Sequence, residues 1–200
     1  MREAVDDIER AADILRNGGV VVYPTETLYG LGVDAISERA IKKAYAIKKR
    51  ALSEPISLAV ASYEMMEQVA YIDSGELIRQ LLPGPVTVLL RKQENVPDML
   101  TAHSKLVGVR LPAHPVAIQL IESFGSPITS TSANISGSAP PRKADEVQIT
   151  ADLILDGGEC KYGMPSTVVD LVNMKVIRKG ANYDKVKTLM ERYKLCRSSG

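Results

Sequence analysis

Cysteine and histidine each occur only twice in the 200 residues, phenylalanine once and tryptophan not at all. Cys160 and Cys196 stand alone, with no ligand at metal spacing, so they read as reduced thiols and no zinc site is expected. His103 and His114 have neither metal spacing nor a nucleophile motif around them. His114, between Ala113 and Pro115 at an expected helix start, reads as structural. No apolar run approaches membrane-spanning length. The opening MREAVDDIERAADILR is amphipathic and acidic rather than signal-like, which makes the cytoplasm the expected compartment. The sequon at Asn134-Ile135-Ser136 is discounted for the same reason. Charge of one sign is also missing: the net charge is +1, so overall charge does not announce nucleic-acid binding. No glycine run leads into Gly-Lys-Ser/Thr, and Gly30-Leu31-Gly32 is too short for a dinucleotide fingerprint. Repeats, low-complexity segments and a convincing internal linker are absent as well.

What is present suits one α/β domain. Two hundred residues can bury a core without disulfides. The 45% hydrophobic and 24% charged content is that of an ordinary globular chain. Val5, Ile8, Ala11, Ala12 and Leu15 recur at helical spacing until Asn17-Gly18-Gly19 stops them. Val20 to Val22 is an apolar strand that Pro24 ends, because proline disfavours helix before it and fixes its own φ. A polar, glycine-rich turn, Thr25-Glu26-Thr27 through Gly32, follows at the place where open α/β sheets put ligands. Its glycines permit positive φ or a close backbone approach to a ligand. Ser37 can cap a helix running to about Lys49. Strands are expected at 56–60, 86–90, 105–111, 127–129, 151–156, 167–172 and 175–178. Helices are expected at 63–69, 74–82, 115–122, 144–149 and 183–193, with a frayed tail at 197–200. The alternation predicts a twisted open mixed sheet flanked by helices, with a broad concave ligand cleft.

Hydroxyls, amides and cations gather at the expected strand ends. Lys48-Lys49-Arg50 closes a helix. The cations either cap the helix dipole or bind phosphate, with Arg50 as a fork and Lys48 as a point charge. Lys48 continues the Ile41, Ala44, Tyr45 face, an alignment that capping does not require. Ser132 and Asn134, two apart in an extended run, face the same way. They are either a serine-rich turn or a hydroxyl and an amide offered to a ligand. Arg110, at the end of an apolar strand, needs a partner if buried: a protein carboxylate or a substrate carboxylate. Glu26 is either a general base or a structural carboxylate. Arg39, Lys42, Lys43, Lys48, Lys49 and Arg50 form a local basic stretch, so a double-stranded RNA or tRNA-binding module is the alternative from another class. No aromatic interleaving supports base stacking there.

The motifs YPTETLYGLG (23–32), Lys48-Lys49-Arg50, LLPGPVTVLL (81–90), VGVRLPAHPVA (107–117), SANISG (132–137), PSTVVDL (165–171) and VIRKGA (176–181) occur in that order. In them the chain resembles the YrdC-like threonylcarbamoyladenylate synthases, over roughly residues 12–181 of a single domain spanning 1–200. The resemblance implies a nucleotidyltransferase that joins L-threonine, bicarbonate (or CO2) and ATP into threonylcarbamoyl-AMP and pyrophosphate. Other proteins then transfer the threonylcarbamoyl group to adenosine 37 of tRNA. It also implies that Thr25, Arg110, Ser130 and Ser166 contact threonine, with Arg110 on its carboxylate. Lys48, Arg50, Ser132, Asn134 and Arg178 would hold ATP, with Lys48 and Arg50 as the catalytic cations. Mg2+ is expected with ATP, held by phosphates and water, with no dedicated metal site. The chain departs from the family pattern at Ala51 (usually proline), Ala59 (a histidine in some members) and Leu106 (a threonine in some members). Longer members carry a separate C-terminal domain, for which no room is expected here. A carbamoyl-adenylate-forming domain of the hydrogenase-maturation type is a further alternative.

Overall fold

The computed structural model describes residues 2–198. The first half of the chain forms α1 (Arg2–Arg16), β1 (Val21–Tyr23), β2 (Gly30–Gly32), α2 (Glu38–Lys48), β3 (Ser57–Ala59), α3 (Tyr63–Glu67), α4 (Gly75–Leu81) and β4 (Val86–Arg91). The second half forms β5 (Leu106–Arg110), α5 (Pro115–Phe124), β6 (Ile128–Ser132), a single 3-10 turn (Ala144–Glu146), β7 (Leu153–Ile154), β8 (Thr167–Asp170), β9 (Lys175–Arg178) and α6 (Tyr183–Ser198).

Local chemistry sets the helix ends. Gly18 takes φ 72°, with its N–H on Leu15 O at 2.9 Å and the Gly19 N–H on Ile14 O at 2.8 Å. This is a Schellman motif, which the left-handed glycine permits. Ser37 caps α2 by accepting the Ala40 N–H at 3.4 Å, as its sequence position predicts. The same helix ends on Lys49 at φ 49°, again with the paired bonds Lys49 N–H to Ala46 O and Arg50 N–H to Tyr45 O.

The strands form one mixed sheet in the order β7-β1-β2-β6-β3-β5-β4-β8-β9. Pairs β1–β7, β3–β5 and β4–β8 are parallel and the other five are antiparallel. Period-two alternation sorts the side chains onto two faces. On one face Val22, Leu31, Leu58, Val88, Val107, Val109 and Val169 pack under residues of α2, α3, α4 and α6. On the other, Val21, Tyr23, Ala59 and Ile128 pack under α1 and α5. Those two helices cover only part of the second face. The uncovered part, read through the strand registers, holds Gly30, Ser132, Ser130, Ser57, Gly108, Arg110, Thr87, Val168 and Arg178. A sheet face without a covering helix and with hydroxyls in place of apolar side chains is a ligand floor.

Several elements differ from the sequence reading. Gly30 and Gly32 lie in strand β2, not in a turn. Their lack of a side chain admits the Tyr23 ring, since a Cβ at Gly30 would stand 2.8 Å from Tyr23 Cζ and one at Gly32 3.1 Å from Tyr23 Cδ1. Strand β6 extends beyond the expected 127–129 to Ser132, because alternate polar residues face the cleft and the Thr129 hydroxyl serves the Leu31 and Val33 backbone. The expected helix at 144–149 is one 3-10 turn. The expected strand at 151–156 is assigned over only two residues, held to β1 by the Asp152 N–H on Val20 O and the Leu155 N–H on Val22 O, both at 2.9 Å, and by the Asp152 carboxylate on the Val20 N–H at 2.7 Å. Helix α6 runs on through Arg197 and Ser198 rather than stopping at Tyr193. The rest of the expected frayed tail lies outside the described residues.

Candidate active site

The uncovered floor is the bottom of a cleft of about 320 Å³. Its walls come from the β1–β2 connection (Thr25, Thr27, Leu28, Tyr29), the segment after α2 (Arg50, Pro55, Ile56), the turn after β6 (Asn134, Ser138, Pro140) and the entry to β8 (Pro165, Ser166). Among the described residues lining it are three arginines, Arg50, Arg110 and Arg178, and no aspartate or glutamate. Gly108 opens the floor, since a Cβ there would crowd Ser57 Oγ and stand 3.2 Å from Thr87 Cγ2.

At one end Arg110 is 7% exposed and Glu26 is 5% exposed. Arg110 Nη2 donates to Glu26 Oε1 at 2.6 Å, and Glu26 Oε2 accepts the Ala113 N–H at 3.0 Å. Both carboxylate oxygens are therefore engaged, which assigns Glu26 a structural role and leaves it poorly placed as a general base. Arg110 Nε is buried with no hydrogen-bond partner. A buried orphan donor on a charged group is costly, and the Arg110 side chain itself lines the cleft. Tyr23 lies beneath, its hydroxyl on Thr129 O at 3.0 Å, and burial pushes its pKa up to about 12. It stays a neutral donor. The Thr87 and Ser166 hydroxyls meet at 2.8 Å. Arg178 Nη2 donates to the Ser166 carbonyl at 3.0 Å and hydroxyl at 3.2 Å.

At the other end Lys48 is 2% exposed. Its Nζ donates to Ser132 O at 2.5 Å and Asn134 O at 2.8 Å, while its own carbonyl accepts the Ser136 N–H at 2.8 Å. Ser132 Oγ donates to Asn134 Oδ1 at 2.5 Å. Arg50 donates to Glu54 O at 3.2 Å and Pro55 O at 3.1 Å. Burial first, then the charge of Arg50, pushes the Lys48 pKa down to about 8. Burial, then Arg110 and Arg50, also lowers that of Arg178. Cations that depress one another around a carboxylate-free cleft create a field suited to a polyanion.

A family model described as telomere recombination, the Sua5/YciO/YrdC family, matches residues 13–180. The chain belongs to this family. It is 40% identical over 180 residues to threonylcarbamoyl-AMP synthase of Pyrococcus abyssi, covering 86% of this chain and 53% of that one. It is 36% identical over 167 residues to a putative threonylcarbamoyl-AMP synthase of Methanocaldococcus jannaschii, covering 80% and 78%. A crystal structure of P. abyssi Sua5 complexed with L-threonine matches with a TM-score of 0.87 at 37% identity, over 91% of this chain and 56% of that one. The chain thus spans about half the length of its P. abyssi relative.

Of the residues assigned from the Sua5/YciO/YrdC resemblance, Thr25, Arg50, Arg110, Ser130, Ser132, Asn134, Ser166 and Arg178 all line this one cleft. Lys48 does not line it. It lies behind the Ser132–Asn134 strand end and fixes that end through two carbonyls. Thr25 is buried, its hydroxyl bonded to Thr27 Oγ1 at 2.8 Å and Leu28 O at 2.7 Å, so it also shapes its own turn. The basic stretch at 39–50 does not present a single face. Lys43 caps α1 through Gly18 O at 2.5 Å, Lys48 points inward, and Arg50 turns to the cleft. Of the departures, Ala59 is buried under α5 opposite Arg110, and Leu106 pairs with Arg91 at the far end of β5. Neither lines the cleft among the described residues. Sequence reasoning missed Ser57, Thr87 and Tyr29. The first two carry a legible signal, a single hydroxyl at the odd position of an otherwise apolar strand.

Proposed function

We propose that the chain is a threonylcarbamoyladenylate synthase. In this reaction, carried by nucleotidyl transfer, L-threonine, bicarbonate (or CO2) and ATP give threonylcarbamoyl-AMP and pyrophosphate. The observation that carries the reading is the cleft itself. It has three arginines, a floor of hydroxyls and no carboxylate in its lining, and one arginine keeps a buried N–H without a partner. Family membership and the threonine-bound P. abyssi Sua5 structure point the same way.

In this reading the threonine carboxylate pairs with the Arg110 guanidinium, and Ser130, Ser166 and Thr25 surround the amino acid. The amine captures CO2 as a carbamate, whose oxygen attacks the α-phosphorus of ATP as pyrophosphate leaves. Arg50, Arg178, Ser132 and Asn134 hold the phosphates, with Lys48 supporting them from behind. The protein contributes positioning and a fixed positive field aimed at the charge of the phosphates. Mg2+ arriving with ATP would neutralise phosphate charge. The lining offers it hydroxyls and no carboxylate, so phosphate oxygens and water would supply its ligands. The acyl-adenylate would pass to other proteins that modify tRNA, in the cytoplasm, and direct contact with tRNA or double-stranded RNA is secondary. Among the described residues, no helix is long and apolar enough to cross a membrane.

The test is pyrophosphate release by the purified chain with ATP. Release should require both threonine and bicarbonate and proceed without RNA. Turnover that ignores threonine, or that depends strictly on RNA, would overturn the assignment.

A further inference from the structure

Strand β4 carries a single hydroxyl, Thr87, in an otherwise apolar run that ends at Arg91. Thr87 is 3% exposed. Among the described residues its hydroxyl has one hydrogen-bond partner, Ser166 Oγ at 2.8 Å. The parallel pairing of β4 with β8 sets Thr87 opposite Val168 and so brings the entry to β8 beside it. Towards β5, on the other side, Thr87 presents its methyl, since Cγ2 is the atom that a Cβ on Gly108 would meet at 3.2 Å. The methyl therefore faces the cleft floor, and the hydroxyl is turned to Ser166.

A hydroxyl has one proton to place and two lone pairs that accept. When it is buried, leaving the proton without an acceptor is costly. Thr167 shows how the backbone can meet that need. Its Oγ1 accepts the Gly180 N–H at 3.1 Å and donates to Ala181 O at 2.8 Å. Thr87 has no such carbonyl among the described residues, and Ser166 Oγ is the acceptor it has. Ser166 Oγ also accepts from Arg178 Nη2 at 3.2 Å, and a guanidinium can only donate. With Thr87 donating as well, both lone pairs of Ser166 Oγ are occupied. Its proton is left, and Ser166 lines the cleft.

We infer that Thr87 is a positioning residue that fixes Ser166 as a hydrogen-bond donor towards the ligand. The ligand atom that Ser166 meets is then an acceptor oxygen. An amine or ammonium, whose N–H groups need a lone pair, finds none on Ser166. Donation from Thr87 also polarises the Ser166 O–H and strengthens its outward bond. That the ligand is an amino acid rests on the proposed function, but the direction of the Thr87–Ser166 bond does not.

Two measurements on the full chain test it. In the ligand-free wild type, NMR should show a Thr87 hydroxyl proton that exchanges slowly with water and gives a cross-relaxation peak to the Ser166 methylene. The Ser166 hydroxyl proton should become protected only when L-threonine is added. The reverse order, Ser166 protected in the free protein and Thr87 only with ligand, would overturn the inference. The second measurement is a double-mutant cycle read by threonine titration. Thr87→Val keeps the shape, removes the donor and should weaken threonine about 3- to tenfold, the range of one hydrogen bond. Thr87→Ser keeps the hydroxyl and should restore most of that affinity. In a Ser166→Ala background, Thr87→Val should cost nothing further. A Thr87→Val variant that binds threonine as the wild type does would overturn the inference. So would an equal loss in the Ser166→Ala background, which marks a packing role, or a Thr87→Ser variant as weak as Thr87→Val. Should Thr87→Val not fold, the direction of the bond in the wild type decides. A wild type that does not bind threonine at all removes the proposed substrate, and protection of the Thr87 proton in the free protein still decides which hydroxyl donates.

Discussion

Lys48 and Lys49 are adjacent at the end of one helix and feel its dipole alike, so they separate the effect of an inward ammonium from that of simple capping. Lys48→Met keeps the apolar stem and removes two charge-assisted bonds, at 2.5 Å to Ser132 O and 2.8 Å to Asn134 O. Bonds of this kind contribute about 1.5–3 kcal/mol each. Part of that is returned because the variant no longer buries a charge, as the lowered Lys48 pKa records. The net loss should be about 2–4 kcal/mol, or roughly 5–15 °C in melting temperature for a chain of this size. This exceeds the ~1 kcal/mol that a surface dipole effect gives. The two carbonyls are those of the residues that offer Ser132 Oγ and Asn134 to the cleft, so ATP affinity should fall by about tenfold or more. Lys49 is exposed, and Lys49→Met should change both quantities little, by under about 0.5 kcal/mol. Because Lys49 sits at φ 49°, Lys49→Gly should instead stabilise the protein by about 0.5–1 kcal/mol. Thermal unfolding and nucleotide titration of the variants side by side are the assay. Lys48→Met and Lys49→Met melting together, with equal ATP affinity, would refute the reasoning.

The Lys48 pKa, lowered from 10.5 to about 8, has two consequences of opposite sense. Below pH ~8 both the folded and unfolded chains hold the proton and the burial cost is fully present. Between about 8 and 10.5 the unfolded chain holds more, so this group's contribution to stability rises with pH. Bound polyphosphate favours the charged form, so ATP affinity should fall above pH ~8 with proton uptake on binding, and Lys48→Met should abolish that linkage in calorimetry across buffers. Arg110→Leu should cost about 3–5 kcal/mol by leaving Glu26 buried and unpaired. Adding Glu26→Gln should recover part of it in denaturant unfolding without recovering threonine binding. Gly30→Ala forces a Cβ to 2.8 Å from the Tyr23 ring, which is fully buried. It should cost about 1–3 kcal/mol, and an unchanged melting temperature would show that the ring can yield.

The parts of this protein legible in the sequence are those set by neighbours along the chain. The Ser37 cap, the Gly18-Gly19 stop and the inward run ending at Lys48 all follow from spacing. Ser132 and Asn134 do meet side by side, as an extended run would place them, but through the turn in which the Asn134 N–H bonds Ser132 O. The illegible parts depend on what lies across the sheet. That Gly30 and Gly32 serve the Tyr23 ring is visible only once β1 and β2 are paired in register. Whether Arg110 meets a protein or a substrate carboxylate was open because Glu26 is 84 residues away. The structure gives it Glu26 on one nitrogen and leaves another for a ligand. Lys48 as a strut behind the cleft rather than a lining residue depends on where β6 ends.

The place of β6 in the sheet also bears on timing. Strand β6 (Ile128–Ser132) is the bridge between β2 and β3, which precede it by roughly 100 and 70 residues. During synthesis, β1–β2 and β3 emerge as separate pieces with unpaired edges, and nothing local can join them. The cleft floor then waits for β8 and β9, which bring Ser166 and Arg178 from the last fifth of the chain. Contacts of such sequence separation form late and slowly, because loop closure precedes any reward. Ligand binding is therefore a property that the growing chain gains almost all at once, only after β8 and β9 have been made.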